Sequence, residues 1–457
     1  MNDRLYNIKT VATVDFVGYS AEHRAYIFHN LAIADGREYH LNSEDYFDIG
    51  SRAIKTLDKS IHQTHSTAPD YNPAWLDALH GAYRAKGLVV LTFWFATLFA
   101  EQIREMHESL PFLELMGEPD AGKSTLIVFL WRLLGRTAWE GFDPSKNTPA
   151  NRARNLLQVS NMPVVLLEGD RDELTSHSKR FDWEELKPLY NGRGVRGRAA
   201  FTRGNETYEP PFRGSIVITQ NVAVNASDAV LSRIAHVELT KEHHSVASKL
   251  CADRLVNFDV TEVSYFLNLA IASERKTLEI IKKQTQVYDA ALLADSNIAM
   301  HRIAKTHAQM MASADALAAL LEWPAQWLKD VKIEIHAMAV ARQKSIAADH
   351  PIVADFWETY YYLESNIKNA YGAGLDPDES NSLDHSCDAQ IIAINLPHFK
   401  KIAEEHRQGG FLSKEYRALL PNSRSHRYLG HKVCRSKLKT ASVRCIQFEK
   451  PKINPYA

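Results

Sequence analysis

Residues 117–125 read Gly117-Glu118-Pro119-Asp120-Ala121-Gly122-Lys123-Ser124-Thr125. A glycine, four residues and then Gly-Lys-Ser is the pattern of a phosphate-binding loop. Glycines let backbone N–H groups turn inward around a phosphate, and a helix starting directly after them points its positive dipole end at the same place. Lys123 is the expected cation for the β- and γ-phosphates, and the Ser124 hydroxyl the expected ligand for Mg²⁺. ATP and Mg²⁺ are therefore the ligands this stretch asks for. Its flanks have the required order: Phe112-Leu113-Glu114-Leu115-Met116 is a short apolar run suited to a buried strand, and Thr125 to Trp131 reads as the start of a helix.

Working outward, Met162 to Leu167 is a second buried-strand run that delivers Glu168-Gly169-Asp170 at its carboxyl end. A strand-end acid is what Mg²⁺ coordination and water activation need, so Glu168 is assigned as the Walker B acid with Asp170 as the fallback. The same residues fit the first motif of a toprim fold, which needs a later strand ending in Asp-x-Asp. The only Asp-Pro-Asp, Asp376 to Asp378, lies in a loop-like segment. A third apolar run, Gly214 to Asn221, ends in an amide, and Asn221 is placed to orient the attacking water or sense the γ-phosphate. Arg233 then precedes a fourth run and suits an arginine finger acting on a neighbouring subunit. Plainer alternatives are a strand-closing turn residue for Asn221 and a surface ion pair for Arg233.

Between these runs lies a basic stretch carrying Lys187, Arg193, Arg196, Arg198, Arg203 and Arg213. The turn residues Arg203-Gly204-Asn205 separate two possible strands, Val195 to Phe201 and Thr207 to Phe212. Such a hairpin would project into a central pore and hold the phosphodiester backbone of single-stranded DNA. A solvated hairpin without a ligand is the alternative.

The whole chain has 457 residues, 45% hydrophobic and 24% charged, with a net charge of −1, room for two to four domains of ordinary soluble composition. The charge is unevenly spread: His398 to Ala457 holds fourteen Lys and Arg against four Glu, a local balance of +10 that leaves −11 on the rest. That basic end suggests a polyanion-binding module. Helices are expected over 396–408 and 413–420, then a basic helix bearing Arg424, Arg427, Tyr428, Lys432, Arg435, Lys437 and Lys439, then a strand over 442–448. This order fits a winged-helix-like domain docking on duplex DNA, with Arg427, Lys432, Arg435 and Lys437 as contacts. A solvated face for partner contacts is the alternative.

Four cysteines without C-x-x-C spacing give neither a zinc site nor a disulfide framework, so the expected compartment is the cytoplasm. Met1-Asn2-Asp3-Arg4 lacks the apolar core of a signal peptide. The run Gly87 to Ala100 falls short of the ~20 residues a bilayer requires and reads as a buried helix, so no membrane partner is expected. The expected domains are a β-rich segment 1–72 with a hairpin at 34–37, an α/β P-loop ATPase core 73–245, a helical segment 246–364 and the basic domain 365–457.

Walker A, an acid-ended strand, a basic hairpin, a strand ending in Asn and a following Arg resemble, in that order, superfamily 3 helicases of AAA+ type. Residues 73–240 look like the helicase half of primase–helicases carried by phages and integrative elements. The resemblance implies ATP hydrolysis at subunit interfaces, a homohexamer around single-stranded DNA and 3′-to-5′ movement. Gly169 departs from the usual acidic pair, which bears on the catalytic base. No priming motif accompanies it, so a primase would be a separate partner. Two other functions stay open: a nucleotide-switched origin-binding or helicase-loading protein, and a phage-defence ATPase.

Overall fold

Period-two alternation near the amino terminus becomes a set of short strands: β1 (Val11–Val14), β2 (Val17–Ser20), β3 (Ala25–Ile27), β4 (Leu31–Ala34), β5 (Arg37–His40), β6 (Phe47–Ile49) and β7 (Arg52–Thr56). The computed structural model describes residues 10–137, 139–167, 181–199, 205, 207–349, 351–371, 382–408, 413–438 and 441–451. The hairpin expected at 34–37 is β4–β5, closed by Asp35 and Gly36, both at positive φ, in a two-residue turn whose twist suits a hairpin. Its inner strand is Leu31–Ala34; Tyr26 and Ile27 lie one strand further in.

Further along come β8 (Phe112–Gly117), β9 (Val159–Ser160), β10 (Pro163–Leu167), β11 (Arg198–Ala199), β12 (Thr207–Tyr208), β13 (Ser215–Gln220) and β14 (Ile234–Leu239). The four apolar runs of the sequence form one sheet in the order β10-β13-β8-β14, every neighbouring pair parallel. Near-continuous Val, Ile and Leu runs are what a parallel sheet covered on both faces requires. The short β9 leaves this region to pair in parallel with β2, extending a second sheet, β5-β4-β3-β2-β9. The amino-terminal strands are thus stitched to the central α/β layer. A buried polar joint adds to this: Tyr26 Oη donates to the Leu98 carbonyl at 2.7 Å, and Asn161 Nδ2 donates to Gln102 Oε1 at 2.7 Å.

The apolar run 87–100 is buried, in the helix Trp75–Thr97 and the turn that leads to Ala100–His107. Among the described residues no single helix is long and apolar enough to cross a membrane; this pair passes on length and composition only together, bent by 84°. An Ala-rich helix runs His301–Leu320 and stops before Trp323-Pro324.

The chain divides into two compact units, Met1–Ile346 and Ala347–Ala457. The second opens with the helix Pro351–Tyr371, followed by β15 (Ile391–Ile394), the helices Leu396–Glu405 and Ser413–Leu419, β16 (Tyr428–Arg435) and β17 (Ser442–Glu449). Its strands form an antiparallel sheet, β15-β17-β16, around a core that includes Phe356, Trp357, Phe399, Tyr416 and Phe448. Asn395 caps Leu396–Glu405 by accepting the His398 N–H.

One expectation is corrected here. The basic segment 424–438 is not a helix: its core is β16, paired antiparallel with β17 from Tyr428↔Phe448 to Arg435↔Ser442, and Lys439 lies outside the described residues. Tyr428 and Val433 are strand formers, and Gly430 at φ +125° has no place in a helix. Charge clustering suggested a helix; pairing with β17 decided otherwise.

Candidate phosphate-binding edge of the central sheet

The P-loop runs from the end of β8 into the helix Lys123–Leu133. Gly117 sits against β14: a Cβ there would lie 2.5 Å from the Leu239 carbonyl oxygen. Gly122, at φ +87°, is the helix N-cap in the left-handed region that favours glycine. Tyr83 Oη donates to the Gly122 carbonyl at 3.0 Å, and burial pushes that phenol up to about 12, so it stays a donor. Lys123 lies over its own loop, its ammonium donating to the Gly117 carbonyl and, at 2.9 Å, to that of Glu118. Ser124 is exposed on the first helical turn. A phosphate fits this donor set: a lysine, a hydroxyl and a helix N-terminus behind a turn that admits no side chain at Gly117.

Parallel pairing aligns the carboxyl ends of all four strands on this edge. Leu167 of β10 pairs with Thr219 of β13, Gln220 with Met116 of β8, and Gly117 with Leu239 of β14. In open α/β sheets the crevice outside these ends is where ligands bind. Asn221 follows β13 directly, between the P-loop strand and the strand that leads to Glu168, and is exposed. Glu168 and Asp170 lie outside the described residues, as does Arg203 of the basic turn.

Beneath the edge is a cluster that sequence reading missed. Glu114, fully buried in mid-β8, accepts from Gln220 Nε2 at 2.8 Å, from the Val224 N–H at 2.5 Å and from Arg342 Nη2 at 3.2 Å, and its Oε2 is 2.7 Å from His236 Nδ1. Burial alone raises this carboxyl. The His236 hydrogen bond and charge, the Arg342 guanidinium and the Val224 amide outweigh it and hold the group at about 2. Arg342 also donates to the Ile234 carbonyl at 3.2 Å. One carboxylate thereby ties together β8, β14, the loop after β13 and the helix Ala325–Ala347. A glutamate inside an otherwise apolar strand run was the available signal.

Arg233 lies elsewhere. Its carbonyl accepts from the Phe112 N–H at the start of β8, so it marks the opposite edge of the sheet from Gly117. Six residues of β14 separate the two edges, roughly 17–20 Å at strand rise. Its Nη1 donates to the Ala229 carbonyl, and its Cζ is 5.4 Å from the Tyr190 ring centroid. Burial, then the nearby Arg302 charge, lower its guanidinium from the usual arginine range. The buried Nε has no partner among the described residues.

Of the remaining basic residues, Arg193 and Arg196 are exposed, whereas Lys187 is ion-paired with Glu184. Of the expected hairpin, the described residues show the antiparallel pair β11–β12, with Arg198 opposite Tyr208 and Ala199 opposite Thr207, and most of its turn lies outside them. In the second unit Lys432 and Arg435 are exposed on β16, Arg427 pairs with Glu449 at 3.5 Å, and Lys437 pairs with Asp384 at 2.9 Å.

No family model and no curated protein matches the chain. Among solved structures it is similar to SCCmec type IV Cch, described as an active helicase, with a TM-score of 0.52 at 15% identity over 98% of this chain and 81% of that one. The apo C-terminal region of NrS-1 matches at 12% identity with a TM-score of 0.33, covering 90% of this chain and 83% of that one. A Cytophaga hutchinsonii protein provisionally described as an ATPase matches at 12% identity with a TM-score of 0.34, covering 56% of this chain and 83% of that one. The last two scores carry no argument. The first establishes a likeness of fold alone: this chain is folded like that helicase.

Proposed function

We propose that this chain is an ATP-dependent DNA helicase or translocase serving the replication of a phage, plasmid or integrated mobile element. The observation that carries the reading is the carboxyl edge of the sheet, where the P-loop lysine, Asn221 and the strand leading to Glu168 converge. The helicase-type fold supports it.

In this reading Gly117 to Thr125 cradle the triphosphate of ATP, and Lys123 leaves its loop carbonyls to neutralise it. Ser124 and Glu168 would hold Mg²⁺, which supplies charge neutralisation at the phosphates. Glu168, with Asp170 as the fallback, takes the proton of the attacking water, and Asn221 orients that water. Arg233 cannot reach its own subunit's P-loop across the sheet, and its under-partnered guanidinium suits an anion from another copy. Hydrolysis is accordingly proposed at interfaces of a homo-oligomer of AAA+, superfamily 3 type, a hexamer around single-stranded DNA. The β11–β12 hairpin, with Arg193, Arg196, Arg198 and Arg203, contacts that strand.

The second unit has the order helix, strand, helix, helix, strand, strand, that of a winged-helix domain. We assign it duplex contact through Lys432 and Arg435 on the β16–β17 hairpin rather than through a basic helix.

The direct test is Lys123→Ala, which removes the phosphate cation without touching the core. Its ATP hydrolysis should fall to background, and hydrolysis at the parental rate would remove the assigned site. The basic end of the second unit, residues 398–457, also favours an origin-binding or loading role. A strand-displacement assay separates the two, because a switch protein binds DNA with ATP yet displaces no strand.

A further inference from the structure

At the root of the β11–β12 hairpin lies a groove of about 630 Å³, walled by the helix Pro149–Leu157, the turn between β1 and β2, and the hairpin itself. Its lining brings together Arg154, Arg196, Arg213 and Tyr208, with Asp15 as its single acid. Arg213 is already committed: its Nε is 3.7 Å from Glu101 and its Cζ 4.5 Å from the Phe16 ring centroid, so it serves as a fixed wall. Arg154 and Arg196 are exposed, and neither forms an ion pair among the described residues. Tyr208 is 46% exposed, an aromatic side chain presented on a two-residue strand rather than buried. Leu157 and Pro210 supply an apolar wall beside these charges.

Two uncommitted guanidinium groups, an exposed aromatic ring and an apolar wall, in a volume within the few hundred to a thousand Å³ of small-ligand sites, match one nucleotide and its flanking phosphates. We propose that this groove binds a single nucleic-acid strand, with one base on the Tyr208 ring and the adjoining phosphates on Arg154 and Arg196. A duplex keeps its base faces stacked inside and offers none to Tyr208. Asp15 disfavours phosphate on its own side and so fixes which side of the groove carries the backbone. Neither Arg154 nor Tyr208 belongs to the nucleotide-hydrolysing edge. The inference rests on the DNA-motor reading in placing the groove on the strand's path at the foot of the hairpin.

The test measures binding of labelled oligothymidylate to the full-length protein without ATP, by fluorescence anisotropy across a salt series. Tyr208→Ala should weaken binding about tenfold through lost stacking, while Tyr208→Phe, which keeps the ring, should stay within about twofold of the parent. Arg154→Ala should lower the slope of log affinity against log salt by about 0.7, the share of one single-strand phosphate. Circular-dichroism melting verifies that each variant is folded. Parental affinity in Tyr208→Ala, or a blunt duplex losing as much affinity as the single strand, overturns the groove. An oligouridylate arm identifies the strand: equal dependence on Tyr208 assigns base and phosphate alone, and dependence limited to oligothymidylate assigns DNA. Failure of the parent to hydrolyse ATP would sink the motor reading and leave this measurement standing.

Discussion

Glu114 is the residue on which the geometry of the phosphate edge turns. A fully buried carboxylate is costly unless its lone pairs are filled, and here Gln220, Val224, His236 and Arg342 fill them. The Val224 contact holds the loop that begins at Asn221, and the Arg342 contact holds a helix more than two hundred residues away in sequence. Because the folded carboxyl is held at about 2 against an ordinary 4.5, its contribution is complete above pH 4.5 and is lost as pH falls from there toward 2. Replacing it by Glu114→Gln leaves Arg342 buried beside a neutral amide. That should cost about 3–5 kcal/mol at pH 7, the usual penalty for breaking a buried ion pair. The penalty should shrink by about 1 kcal/mol between pH 7 and pH 4, since the parent's unfolded chain already takes up part of a proton there. Urea unfolding of both proteins at the two pH values checks this. A penalty that does not change with pH would mean that the cluster works by packing alone.

At the scale of elements, what the sequence disclosed depended on how far apart the interacting residues lie. The strand, glycine turn and helix start at 112–133 were legible because their requirements are local: glycines where backbone must turn or approach another strand, then a lysine at the helix start. The four parallel strands were legible because a strand buried on both faces is an apolar run. Their order was not, since β13 between β8 and β10 follows from pairing rather than from chain position. The stitch between β2 and β9 joins residues about 140 apart and left no periodic signal. The Glu114 cluster draws partners from 106 to 228 residues away, so only its odd glutamate was visible. In the basic tail, charge density suggested a helix where the segment is a strand defined by its pairing with β17. The β11–β12 hairpin was foreseeable because turn residues and alternating strands are again local, and it carries its own prediction. The triple variant Arg196→Ala, Arg198→Ala, Arg203→Ala should lose the DNA-stimulated part of ATP hydrolysis. Its slope of log affinity against log salt for single-stranded DNA should fall by about 2, near 0.7 for each phosphate released. An unchanged slope with intact stimulation would take the hairpin off the DNA path.

At the scale of the whole molecule, the proposed hydrolysis site predicts assembly. Its phosphate-binding edge and Arg233 lie at opposite ends of β14, about 17–20 Å apart at strand rise, whereas charge stabilisation in phosphoryl transfer needs direct contact. In the proposed reading one copy holds the loop at one edge and the arginine at the other, and a complete site would need the edges of two copies to meet. The electrostatics at Arg233 agree: Arg302 stands nearby, the buried Nε lacks a partner among the described residues, and an incoming anion would relieve both. This yields a complementation experiment. Lys123→Ala subunits keep the arginine and lose the loop's cation; Arg233→Ala subunits do the reverse. Each variant alone should hydrolyse ATP at background. Mixed one to one, some interfaces pair an intact P-loop from one variant with an intact arginine from the other. In a ring of randomly mixed subunits about a quarter of interfaces have that composition, so hydrolysis should return to roughly a quarter of the parental rate if sites act independently. It should return only under conditions where sedimentation shows mixed oligomers. Were Arg233 to act within its own subunit, both variants would carry a defective site in every copy, and no mixing ratio would restore activity.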